Sequence, residues 1–292
     1  MSLKGIFCPV VTPFTGGGIA VDGFRRNIDF WTSTGLSGYV ILGSTGEAAL
    51  LTESERAALI QLARECAPDQ SLIVGTGCEA TEATIRSTKA AADLGADYAL
   101  VITPSYFKAQ MTPDCLRAHF LTVADESPVP VIVYNVPKFT DLDISPDVVA
   151  DLARHENICA MKESADDLVK LATLSGNISP EFELLIGNAG VFLAGLSAGA
   201  GGAILALCNF AARECVEVYN LVRRQSYDEA REIFLRLLPL ATAIVGKHGV
   251  PGIKAAMDIR GQCGGEPRRP LLPPAAKVKL EIEGLLREAE LL

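Results

Sequence analysis

One lysine in this chain has the setting that covalent catalysis asks for. Lys162 closes the apolar run Ile158-Cys159-Ala160-Met161, so a strand there delivers an amine to the edge of a dry core. A free lysine titrates at about 10.4 and is an ammonium at neutral pH, with no lone pair for a carbonyl. Desolvation lowers that value, which is what a Schiff-base lysine requires. A strand-end lysine reaching solvent is the plain alternative, and its neighbours decide between the two. Tyr134 closes the preceding apolar run, Val131-Ile132-Val133-Tyr134. Two neighbouring strand ends then set a phenol beside the amine, placed to carry protons.

Gly43-Ser44-Thr45-Gly46-Glu47 follows another apolar run, at 39–42. A glycine-bracketed turn offers backbone N–H groups and two hydroxyls to a carboxylate or phosphate; a tight turn with self-bonded Ser and Thr is the alternative. Gly75-Thr76-Gly77 follows a strand and precedes a helix, as a dinucleotide-binding turn does. Yet Asp97 reads as the start of the next strand and not the end of one, and a glycine-containing barrel loop gives the same letters. His119, His155 and His248 stand at no metal-ligand spacing, so no metal site is read.

Such residues need a scaffold whose strand ends converge. Short apolar runs at 5–12, 39–42, 72–75, 98–102, 131–134, 158–162, 184–186 and 203–205 alternate with longer amphipathic segments. Near-continuous apolarity is what a parallel strand covered on both faces requires. Thr112-Pro113-Asp114 and Ser145-Pro146-Asp147 put a hydroxyl at a helix N-cap and proline at the first helical position. Thr52 with Glu55 makes a capping-box pattern. Strand and helix repeated eight times predict an α/β protein, a (β/α)8 TIM barrel with its site at the C-terminal strand ends. Beyond 205 the strand pattern stops, and 210–224, 227–245, 251–259 and 275–291 read as helical. The expected organisation is a barrel catalytic domain over 1–224 and a C-terminal helical extension over 225–292 packed on it.

Composition narrows the partners. The 292 residues are 49% hydrophobic, enough for a large core, and carry a net charge of −9. That balance argues against nucleic acid, whose affinity comes from neutralising phosphates with Lys and Arg. The stretch 184–212 has no charged residue and contains Gly195-Leu-Ser-Ala-Gly199, a pattern seen in membrane helices. Its six glycines point instead to a buried strand, helix and strand, so no membrane partner is expected. The eight cysteines include no C-x-x-C pair, and Met1-Ser2-Leu3-Lys4-Gly5-Ile6 lacks the apolar stretch of a signal peptide. A reducing cytoplasm is the expected location.

Taken in order, Gly43-Ser44-Thr45-Gly46-Glu47, Tyr134-Asn135-Val136-Pro137, Lys162-Glu163-Ser164 and Gly187-Asn188 resemble the dihydrodipicolinate synthase / N-acetylneuraminate lyase family over nearly the whole chain. The resemblance implies a pyruvate-dependent class I aldolase with no cofactor beyond a covalent imine. It implies that Lys162 forms the imine, that Tyr134 relays protons with Ser44, and that Thr45 and Gly46 hold the pyruvate carboxylate. Tyr106, in Pro104-Ser105-Tyr106, matches a second tyrosine that reaches a neighbouring subunit's site, which implies a homodimer or a homotetramer. Ile204 and Gly187 match positions lying against bound pyruvate.

Departures from the pattern bear on the substrate. Dihydrodipicolinate synthases place an Arg five residues after the catalytic tyrosine to bind the aldehyde's carboxylate; here that position is Phe139, after Lys138. An apolar ring cannot replace a bidentate guanidinium. Gly75–Glu79, Thr103–Lys108 and Gly249–Lys254 resemble the 4-hydroxy-2-oxoglutarate aldolase branch instead. Ser164 then becomes a contact for the distal end of the substrate, with a helix N-cap shared with Asp167 as the alternative. The expected activity is reversible cleavage of a 4-hydroxy-2-oxo acid to pyruvate and an aldehyde. Alternatives are 4-hydroxy-tetrahydrodipicolinate synthase, a 2-keto-3-deoxy sugar acid aldolase or dehydratase, and a non-catalytic pyruvate-binding barrel.

Overall fold

The computed structural model describes residues 3–292; Met1 and Ser2, which open the N-terminal stretch read above, lie outside the described residues. Eight parallel strands close into a barrel: β1 (Gly5–Pro9), β2 (Gly38–Ile41), β3 (Ser71–Gly75), β4 (Tyr98–Ile102), β5 (Val131–Asn135), β6 (Ile158–Glu163), β7 (Glu183–Ile186) and β8 (Gly202–Ile204). Closure comes from β1, which pairs with both β2 and β8. The first apolar run extends past its strand because the Val11 N–H bonds the Asn209 side chain at 3.1 Å, not a neighbouring strand.

Side-chain parity divides the core in two. Phe7, Val40, Ile73, Leu100, Ile132, Ala160, Leu185 and Ile204 fill the bore, while Ile6, Cys8, Val74, Val101, Val133 and Met161 face the helices in a larger cluster. Both faces of each strand are buried, which is why the strands read as apolar runs without alternation. Residues that follow a bore-facing position by two also face the bore. On β5 this places Tyr134 inward after Ile132, and on β6 it places Lys162 inward after Ala160.

The uncharged stretch 184–212 becomes β7, a 3-10 turn Ala189–Val191, the short helix Phe192–Ser197, β8 and the start of the next helix. Among the described residues no helix is long and apolar enough to cross a membrane. Gly195 lets that short helix lie on the barrel, since a Cβ there would sit 2.4 Å from Ile186 Cδ1. Thr52 and Glu55 form the expected capping box, and Thr112 caps its helix through the Cys115 N–H. Ser145 differs: Pro146 starts the helix Pro146–Leu152, but the Ser145 hydroxyl makes no capping bond.

Beyond the barrel lie the helices Cys208–Arg223, Tyr227–Leu240, Gly249–Ile259 and Ala276–Glu288. The expected single helix over 227–245 changes character at Leu240 and continues as a wide π-type turn, Ala241–Lys247. Pro239, in the last turn of the regular helix, has no amide for the carbonyl four residues before it, and widened turns cluster near functional sites.

Candidate active site

Tyr134 and Lys162 are register partners on adjacent strands at the C-terminal mouth of the bore. Each is only 5% exposed, and the Lys162 Nζ lies 4.2 Å from the centre of the Tyr134 ring. The next strand, β7, ends one residue before Gly187. A Cβ at Gly187 would meet Ser164 Oγ at 1.9 Å and Lys162 Cε at 3.0 Å, so only glycine leaves the lysine its place.

Ser164 shares the inward parity of Lys162, and its Oγ is buried with no hydrogen-bond partner. An unmet buried hydroxyl costs about 1–3 kcal/mol, which leaves it available to a ligand. It is not the helix cap: Asp167 caps the helix Leu168–Asn177 by accepting from the Lys170 N–H at 2.9 Å. Ile204 ends β8 in the same bore, 1% exposed.

Ser44–Gly46 forms a 3-10 turn directly after β2. Two non-glycine residues with left-handed backbones bracket it, Leu42 at φ 58° and Glu47 at φ 57°. Each costs on the order of 1–2 kcal/mol and persists only where the surroundings enforce it. Gly75 is part of that enforcement, because a Cβ there would lie 2.1 Å from the Leu42 carbonyl oxygen. Gly77 is equally crowded, 2.6 Å from the Ile102 nitrogen. Close packing therefore accounts for the Gly-Thr-Gly sequence after β3.

Within the turn, the Gly46 N–H donates to the Gly43 carbonyl at 3.0 Å and the Glu47 N–H to the Ser44 carbonyl at 3.1 Å. The leading amides of a helical turn have no partner inside it, so an anion would meet the N–H groups of Ser44 and Thr45. Gly46 serves by its size and its carbonyl: a Cβ would touch the Val10 oxygen at 3.0 Å, and the Thr12 hydroxyl donates to its carbonyl at 2.7 Å.

Tyr106 lies on the exposed loop after β4. Its side chain is 78% exposed and meets the Phe107 ring edge-on at 5.0 Å. Its N–H and that of Ser105 donate to Glu79 at 2.8 and 2.9 Å, which fixes the loop after β4. Phe139, in the short helix Pro137–Thr140, is 63% exposed. Its neighbour Lys138 donates to the Gly246 carbonyl at 3.0 Å, so its ammonium is already engaged by the π-type turn.

A polar layer behind the mouth escaped the sequence reading. Asn135 Nδ2 donates to both Glu163 carboxylate oxygens, at 2.8 and 2.9 Å, and to Asp143 at 2.7 Å. Asn135 Oδ1 accepts from the Ile144 N–H at 3.1 Å. The fully buried Glu163 also pairs with Lys170 at 2.8 Å, and Lys170 reaches Asp143 as well. Because Asn135 and Glu163 each follow a catalytic candidate by one residue, strand alternation puts them on the helix-facing side. There they tie β5 to β6 one step past Tyr134 and Lys162. The signal was the adjacency itself, two polar residues closing apolar strands.

Removing Lys170 leaves Glu163 without its counter-ion, and breaking a buried pair from one side costs about 3–5 kcal/mol. Lys170→Met therefore lowers the denaturant midpoint of unfolding by that equivalent. A shift worth under about 1 kcal/mol would mean the pair is exchanged for solvent at no loss.

A buried amine and a phenol paired at the mouth of a (β/α)8 barrel are groups that imine chemistry can use. The chain belongs to the dihydrodipicolinate synthetase family, whose model matches residues 2–289. Enzymes of this family are pyruvate-dependent lyases that work through a lysine Schiff base without an external cofactor. The 4-hydroxy-tetrahydrodipicolinate synthase of Methanothrix thermoacetophila is 34% identical over 285 residues, 97% of this chain and 96% of the relative. YagE, a prophage protein of the same family from E. coli K12 solved in complex with pyruvate, superposes with a TM-score of 0.94 at 29% identity, over 99% of each chain. A monomeric dihydrodipicolinate synthase variant gives 0.95 at 28% identity, over 99% of this chain and 98% of the other.

Proposed function

We propose that Lys162 forms an imine with the C2 ketone of a 2-oxo acid and that the chain cleaves 4-hydroxy-2-oxo acids, reversibly, to pyruvate and an aldehyde. The observation that supports this is the burial of Lys162 against Tyr134, an amine beside a phenol that can carry protons. Lys162 Nζ adds to C2, the carbinolamine loses water, and the protonated imine becomes an electron sink. Tyr134 takes the proton from the C4 hydroxyl as the C3–C4 bond breaks, releasing the aldehyde and leaving an enamine. Protonation at C3 and hydrolysis then return pyruvate and the free amine. Ser44 extends the proton path from Tyr134, while the N–H groups of Ser44 and Thr45 hold the substrate carboxylate. Gly46, Gly187 and Ile204 shape the pocket around it.

Substrate choice rests on the distal end. Phe139 offers no charge, Lys138 is engaged with Gly246, and the free Ser164 hydroxyl suits a neutral or singly bonded group. 4-Hydroxy-2-oxoglutarate, whose distal carboxylate Ser164 would meet with a single hydrogen bond, is favoured by the likeness of 75–79, 103–108 and 249–254 to the 4-hydroxy-2-oxoglutarate aldolase branch. A second reading, 4-hydroxy-tetrahydrodipicolinate synthase, is favoured by the curated relatives, several of which carry that name at 32–35% identity. Loss of a charged hydrogen bond costs about 1.5–3 kcal/mol. Condensation of pyruvate with aspartate semialdehyde should therefore run at a kcat/KM roughly 10- to 100-fold below that of a synthase with the guanidinium, and retro-aldol cleavage of 4-hydroxy-2-oxoglutarate should outrun it. The reverse ranking would assign the synthase reaction. Eight free cysteines fit a reducing compartment such as the cytoplasm, and the exposed Tyr106 fits a site completed by a second copy in a dimer or tetramer.

A further inference from the structure

The turn Ser44–Gly46 is strapped by residues far beyond the barrel strands. Glu47, which follows the turn, is 4% exposed and pairs at 2.5 Å with Lys254, in the helix Gly249–Ile259. Lys254 is 1% exposed, and its ammonium has three protons to place. Two go to the Thr12 carbonyl at 2.8 Å and the Glu266 carbonyl at 2.8 Å, while the charge itself faces Glu47 Oε1. Thr12 in turn donates its hydroxyl to the Gly46 carbonyl. One buried ammonium thus holds the residue after the turn directly and the last residue of the turn through Thr12.

Arg268 closes the strap. Its N–H donates to the second Glu47 oxygen at 2.7 Å, and its guanidinium forks onto Glu55 at 2.7 Å for both bonds. Both cations pack on the ring of Phe14, with its centre 4.6 Å from Lys254 Nζ and 4.1 Å from the Arg268 guanidinium carbon. A buried ion pair is no efficient source of stability, since apolar replacements of similar volume often match or exceed it. It does impose one geometry, and the left-handed Leu42 and Glu47 need such enforcement.

We propose that Lys254 is a positioning residue for the substrate carboxylate: from the C-terminal helices it holds the turn Ser44–Gly46 in the shape that receives pyruvate. The helical extension is then part of the active-site framework. This rests on the reading of that turn as the carboxylate cradle and of Lys162 as the imine lysine.

The test pairs Glu47→Gln with Lys254→Met, which removes both charges together and leaves neither unpaired. Borohydride trapping of pyruvate is followed across pyruvate concentrations, alongside the thermal midpoint and the hydrogen exchange of residues 43–50. The expected result is a double variant that melts close to the parent and needs roughly 10- to 100-fold more pyruvate for half-maximal trapping, the order that small misplacements of a binding group produce. Its trapping rate at saturation stays within about 3-fold of the parent, and exchange over 43–50 is faster by about tenfold. A purely structural pair would leave the half-saturating pyruvate unchanged once stability is restored, and that result overturns the proposal.

If the double variant does not fold, Thr12→Val decides. It is nearly isosteric and cuts only the link to Gly46, so an unchanged pyruvate requirement overturns the proposal and a raised one supports it. Should the parent itself trap no pyruvate, the imine reading fails, and the exchange arm still judges the strap: unchanged protection over 43–50 in the variant overturns it.

Discussion

Lys162→Arg should abolish turnover while leaving the fold intact. The guanidinium keeps the positive charge and much of the length, but it stays protonated and cannot form an imine. Turnover is expected to fall by about 10⁴-fold or more, the order of loss that removing a covalent nucleophile produces. Steady-state retro-aldol rates check this, with the thermal midpoint as the control for folding. Residual activity within tenfold of the parent would mean that binding and orientation, not covalent chemistry, carry the reaction. Space beside the lysine is short, since a Cβ at Gly187 would lie 3.0 Å from Lys162 Cε, so Lys162→Ala serves as a smaller companion variant.

Tyr134→Phe has the second-largest expected effect. The ring that packs against the Lys162 ammonium at 4.2 Å is retained, so the pocket keeps its shape and the lysine its neighbour. Only the phenolic oxygen is lost, and with it the proton carrier for carbinolamine dehydration and C3–C4 cleavage. Loss of a positioned general acid–base costs about 10²–10⁴-fold. The fall should appear in kcat, with KM for the 2-oxo acid changed little because the carboxylate turn is untouched. A kcat within about threefold of the parent would assign the proton transfers elsewhere, with the hydroxyl of Ser44 the first alternative.

The barrel was legible because each parallel strand is covered twice. Runs such as Leu72–Gly75 and Tyr98–Ile102 are apolar on both faces, and the structure places one face in the bore and the other under the helices. Lys162 and Tyr134 were legible for the same reason, as polar ends of such runs. The strap was not. Glu47 and Lys254 meet only because the chain returns to the mouth after the barrel is complete, and no periodicity encodes that return. Asn135, Glu163 and Lys170 stayed hidden because each reads as an ordinary polar residue until strand register brings the first two together. Ser164 shows the opposite limit. Its spacing to Asp167 resembles a shared helix cap, but Asp167 alone makes the cap and the Ser164 hydroxyl stays unpartnered.

Phe139 remains informative in a different way. The sequence signalled a missing guanidinium, and the structure adds that Lys138 is bonded to a carbonyl of the π-type turn. Phe139 is exposed, whereas the turn proposed to receive the carboxylate is closely supported by buried residues. Proximal chemistry and distal selectivity are separable, and substrate assays address only the second.

The imine itself is addressed by trapping. Incubation with pyruvate, reduction with borohydride and peptide mapping by mass spectrometry should place one pyruvate adduct on the peptide containing Lys162, and Lys162→Arg should lose it. An adduct on another buried lysine such as Lys170 or Lys254, or no adduct in the parent enzyme, would contradict the account.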